Sequence, residues 1–134
     1  MMIPAGVSEL YKAFNSHSRA SAGGDTASHL LLLFYAIECG LKSVYLRRLK
    51  LRTTGQITDP WLIGSHDLAR WVRELKLSAQ IASVNTGFTL PRDNTRHPIE
   101  LSHQAWRYGI EMAISDEQTL VNWLTSVKKW IYEA

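Results

Sequence analysis

HLLLLFYAIECGLKSVYLRRLKL, residues 29 to 51, contains no proline and is apolar on more than one face at its start. One stripe at helical spacing is Leu30, Phe34, Ile37, Leu41 and Val44; a second is Leu31, Tyr35, Tyr45 and Leu49. A helix that is apolar most of the way round has to be wrapped by others, so this stretch reads as the central helix of a bundle. Glu38 and Lys42 stand four apart with the acid first, the favourable order for an ion pair along a helix.

The flanks supply the wrapping elements. Upstream, Ser8 after Pro4 predicts the cap of a helix with Val7, Leu10, Tyr11 and Phe14 on its apolar side, broken at Gly23-Gly24. Asp25 or Thr26 then opens the central helix, which is expected to end near Arg52. Downstream, residues 55 to 64 with Asp59-Pro60 read as a loop, pinned to the bundle by Trp61 and Leu62. Ser65, His66 or Asp67 caps a third helix with a stripe of Leu68, Trp71, Val72, Leu75, Ala79 and Ala82, ended by Gly87. The last helix carries Leu120, Trp123, Leu124, Val127, Trp130 and Ile131 behind a capping-box pattern, Ser115 with Gln118.

Between the third and last helices, Pro91 and Pro98 exclude one continuous helix. Tyr108, Ile110, Met112 and Ile114 alternate with Gly109, Glu111 and Ala113, a period of two that predicts an extended segment or short strand. Residues 99 to 106 have room for a short helix. The expected fold is all-α: one domain over residues 1–134, an up-and-down four-helix bundle with a long irregular loop before the last helix. Loops of this length inside a compact domain are often functional.

At 134 residues and 46% hydrophobic, the chain has apolar material for one core. His29, Glu38, Lys42 and Arg47 interrupt the best membrane-span candidate, and MMIPAGVSEL lacks the basic and apolar regions of a signal peptide. A single Cys39 suits a reducing compartment and reads as a small core residue. A cytoplasmic protein with no membrane partner is expected. Fifteen basic against 12 acidic residues give +3, a mild excess. Arg47, Arg48, Lys50 and Arg52 close the central helix; they complement its macrodipole or bind phosphate. There is no Walker loop, dinucleotide fingerprint, Gly-x-Ser-x-Gly or metal-ligand spacing, which points away from ordinary nucleotide hydrolysis, redox and hydrolase chemistry. No metal and no cofactor are expected.

FYAIECGLKSVYL, followed after a loop by SHDLARWVREL, resembles the HEPN family (higher eukaryotes and prokaryotes nucleotide-binding domains). The matching features are Glu38 with Leu41-Lys42, then His66-Asp67-Leu68 at a helix start, then Arg107-Tyr108-Gly109 where the family has Arg-Tyr-Pro before its last helix. The resemblance covers roughly residues 25 to 132. It implies a helical bundle that commonly dimerises and often works beside a nucleotidyltransferase or in toxin–antitoxin and antiphage systems.

Many members of that family are metal-independent ribonucleases with Arg-x(4–6)-His, and this chain has Arg92-Asp93-Asn94-Thr95-Arg96-His97. There His97 would move a proton at the RNA 2′-hydroxyl or the leaving oxygen, and Arg92 would stabilise charge on the phosphate. Nine Arg, three spacings and five His predict about one such match by chance; Arg96 and His103, with six residues between them, also fit. His66 reads as structural, a cap or a neighbour of Trp61. Arg96, His103, Trp106, Arg107 and Tyr108 in the loop, with Glu38 and Lys42 on the central helix, form the candidate ligand-binding set. The first reading is a dimeric binding module for a nucleotide, RNA or a partner enzyme of the nucleotidyltransferase kind. The second is an endoribonuclease using Arg92 and His97, and the third a plain assembly subunit. The consecutive Leu31, Leu32 and Leu33 predict surplus apolar surface and hence a homodimer.

Overall fold

The computed structural model describes residues 3–62, 66–78, 81 and 87–134. These residues are mostly helical, with a small two-stranded hairpin beside the helices. In chain order they form α1 (Val7–Ser21), α2 (Ala27–Leu49), α3 (Leu68–Glu74), β1 (Phe88–Leu90), β2 (Thr95–His97), α4 (Ser102–Arg107) and α5 (Ile114–Glu133), with 3-10 turns at Thr54–Gln56 and Ile99–Leu101.

Helix α2 packs against α1, α3, α4 and α5, as its all-round apolar character requires. Its buried positions include Phe34, Ile37, Leu41 and Leu46, each fully enclosed. Gly40 sets the closest approach. A Cβ there would lie 2.7 Å from Ile131 Cδ1 and 2.8 Å from Phe14 Cδ1, so α1 and α5 pack directly on the bare backbone. Thr26 is the cap, its side chain accepting from the His29 N–H at 3.5 Å. The helix ends at Leu49 rather than near Arg52, because Lys50 turns to φ 56° and Leu51 N–H closes back on Leu46 O. By composition α2 reaches the length and mean hydropathy (1.3) of a membrane span, and 61% of that window is buried within the fold.

Helix α1 starts two residues earlier than a Ser8 cap would place it. Gly6 is the cap, and its N–H donates to Glu9 Oε1 at 2.9 Å. The segment before α1 is laced to the one after α2 by Thr54 N–H to Ala5 O and Ala5 N–H to Thr54 Oγ1. Of the three candidate caps for α3, Asp67 accepts from Arg70 N–H at 3.2 Å. Helix α3 ends at Glu74, short of the expected stop by Gly87, because Lys76 turns to φ 56° and Leu77 N–H closes back on Val72 O. Ser65, Ala79 and Ala82 lie outside the described residues. Leu62 pins the loop, only 1% exposed, whereas Trp61 stands 67% exposed under the Arg70 guanidinium.

The strands are not where the alternation at 108–114 put one. They lie earlier, pairing antiparallel with Phe88 opposite His97 and Leu90 opposite Thr95. Pro91 to Asn94 make the turn: Asn94 takes φ 57°, its N–H reaches Leu90 O at 2.8 Å, and Asp93 Oδ1 accepts from Thr95 N–H and Oγ–H. Residues 110–113 belong to no strand; Ala113 N–H donates to Thr89 O and seats the hairpin against the start of α5. The expected short helix is present as the turn at Ile99–Leu101 running into α4. Gly109, at φ +65°, ends α4, with Ile110 N–H bonded to Ala105 O. Proline could not take that φ.

Helix α5 begins at Ile114, so Ser115 sits inside it and caps nothing. The acidic first turn serves the tertiary structure instead: Asp116 accepts from Thr89 N–H at 2.9 Å and Glu117 from Trp106 Nε1 at 3.1 Å. Trp71 and Trp123 are core residues, while Trp130 is half-buried under Arg48.

Candidate functional site

Helix α2 carries Phe34, Glu38 and Lys42 at intervals of four, hence on one face. Glu38 is buried there, 8% exposed. Its Oε1 meets His66 Nδ1 at 2.5 Å and its Oε2 lies 3.8 Å from Lys42 Nζ. His66, just ahead of the Asp67 cap, therefore reaches across to α2 instead of capping α3. Its ring lies 5.2 Å from that of His103 on α4, and the His103 ring lies 5.0 Å from Phe34. One turn along α4, Arg107 donates to the Tyr35 hydroxyl at 2.5 Å.

These groups have unequal environments. His103 is 5% exposed, and burial pushes its imidazole below the ordinary value, with the neighbouring charges of His66 and Arg107 adding to the effect. The Glu100 carbonyl and Glu38 act the other way. Nδ1 of His103 is nonetheless buried without a partner at hydrogen-bond geometry. Burial likewise pushes the Cys39 thiol up, aided by Glu38. A carboxylate that accepts from Nδ1–H of His66 fixes that tautomer and leaves Nε2 as the ring's uncommitted nitrogen. The His66 side chain is 52% exposed, so solvent or a ligand can reach it. Lys42 and Arg107 add positive charge beside it.

The Arg-x4-His pair belongs to a different place. Arg92 in the turn and His97 on β2 both line a groove of about 250 Å3, floored by Phe88, Leu90, Leu101, Ala105 and Ile110. Arg92 Nε lies 3.7 Å from Asp93 Oδ2, and His97 Nε2 is 2.8 Å from Thr95 Oγ1. Hydrogen bonds from Thr95 hold the Asp93 carboxyl below its usual range, with smaller help from the charges of Arg92 and His97. Adjacent helical residues point about 100° apart. Helix α4 therefore offers His103 and Arg107 to the first site and Gln104 and Ala105 to the second.

The remaining candidates serve structure or lie apart. Arg96 binds Thr89 Oγ1 and pairs with Asp116 at 3.4 Å, tying the hairpin to α5. Arg96 and His103, the other match to the Arg–His pattern, thus engage different elements. Trp106 is 3% exposed, with its indole N–H committed to Glu117. Tyr108 stands 67% exposed past the end of α4. His66 is the site residue that sequence reasoning set aside. Its signal was indirect: a mid-helix Glu38 among apolar neighbours calls for more than one partner, and His-Asp opened the next helix. Among the described residues no three His, Cys, Asp or Glu side chains converge as a metal site. Scans against family models, curated proteins and solved structures return no match to the chain.

Proposed function

We propose that the chain is a cytoplasmic, dimeric binding module of the HEPN kind, in which Lys42, His66, His103 and Arg107 hold the phosphate-bearing part of a nucleotide or RNA and Glu38 positions His66 and Lys42. In this reading α1, α2, α3 and α5 are the four helices of the up-and-down bundle, and the hairpin and α4 are its site-bearing insertion. One observation carries the proposal: a buried carboxylate has an imidazole on one oxygen and an ammonium near the other, beside a second imidazole with an unpartnered buried nitrogen. Such a group contributes little to stability for the desolvation it costs, which favours a functional reason for its assembly. Anisotropy of a labelled single-stranded RNA tests it. Lys42→Met and Arg107→Ala should each weaken binding by about tenfold and flatten its salt dependence. Light scattering on the same samples should give twice the chain mass. Absence of binding at low salt, or binding that neither variant alters, would overturn the reading.

A second reading has its own observation: Arg92 and His97 line one groove. As an endoribonuclease the protein would cut RNA in EDTA and leave 2′,3′-cyclic phosphate ends, with His97→Ala reducing the rate by on the order of a hundredfold or more. Cutting that survives His97→Ala and is lost in His66→Ala would move the chemistry to the α2–α4 cluster.

A further inference from the structure

Between the first turns of α1 and the last turns of α2 lies a groove of about 360 Å3, lined by Val7, Ser8, Tyr11, Lys12, Ser43 and Arg47. It shares no residue with the hairpin groove or with the Glu38 cluster. Its walls are mostly apolar, and the solvent-exposed side chains of Lys12 and Arg47 border it. Lys12 and Arg47 have no carboxylate partner among the described residues. The sequence accounts for this. Lys12 has Ser8 and Ser16 four residues to either side, and Arg47 has Ser43 and Leu51. Glu9, the one acid three residues from Lys12, is engaged by the Gly6 N–H. The groove is also held in shape: Ser43 Oγ donates to Val7 O at 3.3 Å, and the Tyr11 ring rests 5.8 Å from that of Phe14.

We propose that this groove binds a small amphipathic monoanion, with a carboxylate head between Lys12 and Arg47 and an apolar body against Val7 and the Tyr11 ring. Three features select that chemistry. The volume falls within the roughly 300–1,000 Å3 of small-molecule sites, at the lower end. A bare inorganic anion would leave the apolar walls unused, and a neutral apolar ligand would leave the two bordering cations without a counter-charge. The hydroxyls of Ser8 and Tyr11 add hydrogen-bond donors to the same groove. The arginine that looked like a macrodipole complement at the end of α2 thus acquires a ligand.

Calorimetry with decanoate tests the site, with acetate and decanol as head-only and tail-only probes. Decanoate should saturate at one per chain, and each half-probe should bind at least about tenfold more weakly. Arg47→Met and Lys12→Met keep the apolar stems and remove the charges; each should weaken decanoate by about tenfold, one charge-assisted contact, with helix content unchanged. Decanoate binding that both variants leave intact would overturn the proposal. So would decanol or acetate binding as tightly as decanoate. A fall from dimer to monomer mass on adding decanoate would also overturn it, because a second copy would then be the natural occupant of the groove.

Discussion

Helix α4 separates two sites made from nearly the same ingredients, a carboxylate, a cation and a histidine. In the α2–α4 cluster the ion pair Glu38–Lys42 has side chains 11% and 15% exposed; in the hairpin groove Arg92 and Asp93 are 61% and 47% exposed. The separations, 3.8 and 3.7 Å, are almost equal. Distance therefore says little about what the pairs contribute. The exposed pair is screened by water and is worth little. The buried pair has lost hydration on both partners and recovers it only through a full set of contacts, which is why His66 matters. Burial, more than residue type, makes one site sensitive to every change and leaves the other adaptable.

The largest consequence is for Glu38. Glu38→Ala removes the acceptor of His66 and the counter-charge of Lys42 together. It should cost about 3 kcal/mol in urea unfolding, the order found when one partner of a buried pair is deleted. Lys42→Met should cost less, because the carboxylate keeps His66. If Glu38→Ala shifts stability by no more than about 1 kcal/mol, the cluster is solvated like the hairpin pair and the contrast between the sites disappears.

That contrast was only half legible in the sequence. Glu38, Lys42 and Phe34 share a helical face by spacing alone, so one wall of the cluster could be read from residues 29 to 51. His66 could not be placed, because it joins Glu38 across 28 residues and a loop, and a histidine beside a helix start has a simpler local role. The hairpin was missed for a different reason. Thr95, Arg96 and His97 are polar and partly exposed, so β2 carries no apolar alternation; only Pro91 and Asn94 marked the turn. The alternation at 108–114 was real but belonged to an unpaired segment, with Met112 buried and Ile114 exposed. Caps at Ser8 and Ser115 failed because Glu9 supports Gly6 in one case and the first turn of α5 is held by the hairpin in the other.

The second prediction uses the His103 imidazole. Burial holds it below its ordinary value near 6.5. As pH falls through 6.5 the unfolded chain takes up this proton first, so stability declines until the folded-state value has been passed; above 6.5 the contribution is full and constant. One proton limits the slope to about 1.4 kcal/mol per pH unit. Glu100 works in the opposite sense. Burial and the Asp67 charge raise its carboxyl above 4.5, so its contribution is full below 4.5 and is lost as pH rises through the folded value. In a Glu100→Gln background, His103→Leu should therefore flatten the decline below pH 6.5. A decline of unchanged steepness in the double variant would assign it elsewhere and deprive the cluster of its buried titrating group.

The smallest expected effect sharpens the comparison from the hairpin side. Arg92→Ala deletes a cation that is 61% exposed and whose contact with Asp93 lies in open solvent. The turn should not notice, because its geometry rests on Asn94 N–H to Leu90 O and on Thr95 bonded to Asp93, none of which involves the guanidinium. The urea midpoint of Arg92→Ala should match that of the unmodified chain within measurement, in low salt as well as at 0.5 M sodium chloride, where an exposed pair is largely screened. A destabilisation that appears in low salt and vanishes in high salt would mean the Arg92–Asp93 pair holds the turn after all. A destabilisation that persists in high salt would point instead to the arginine stem packing over Leu90 and Ile110 in the groove, since an apolar contact is not screened. Either result would make the hairpin a part of the folded frame, and the difference between the two sites would then be one of degree.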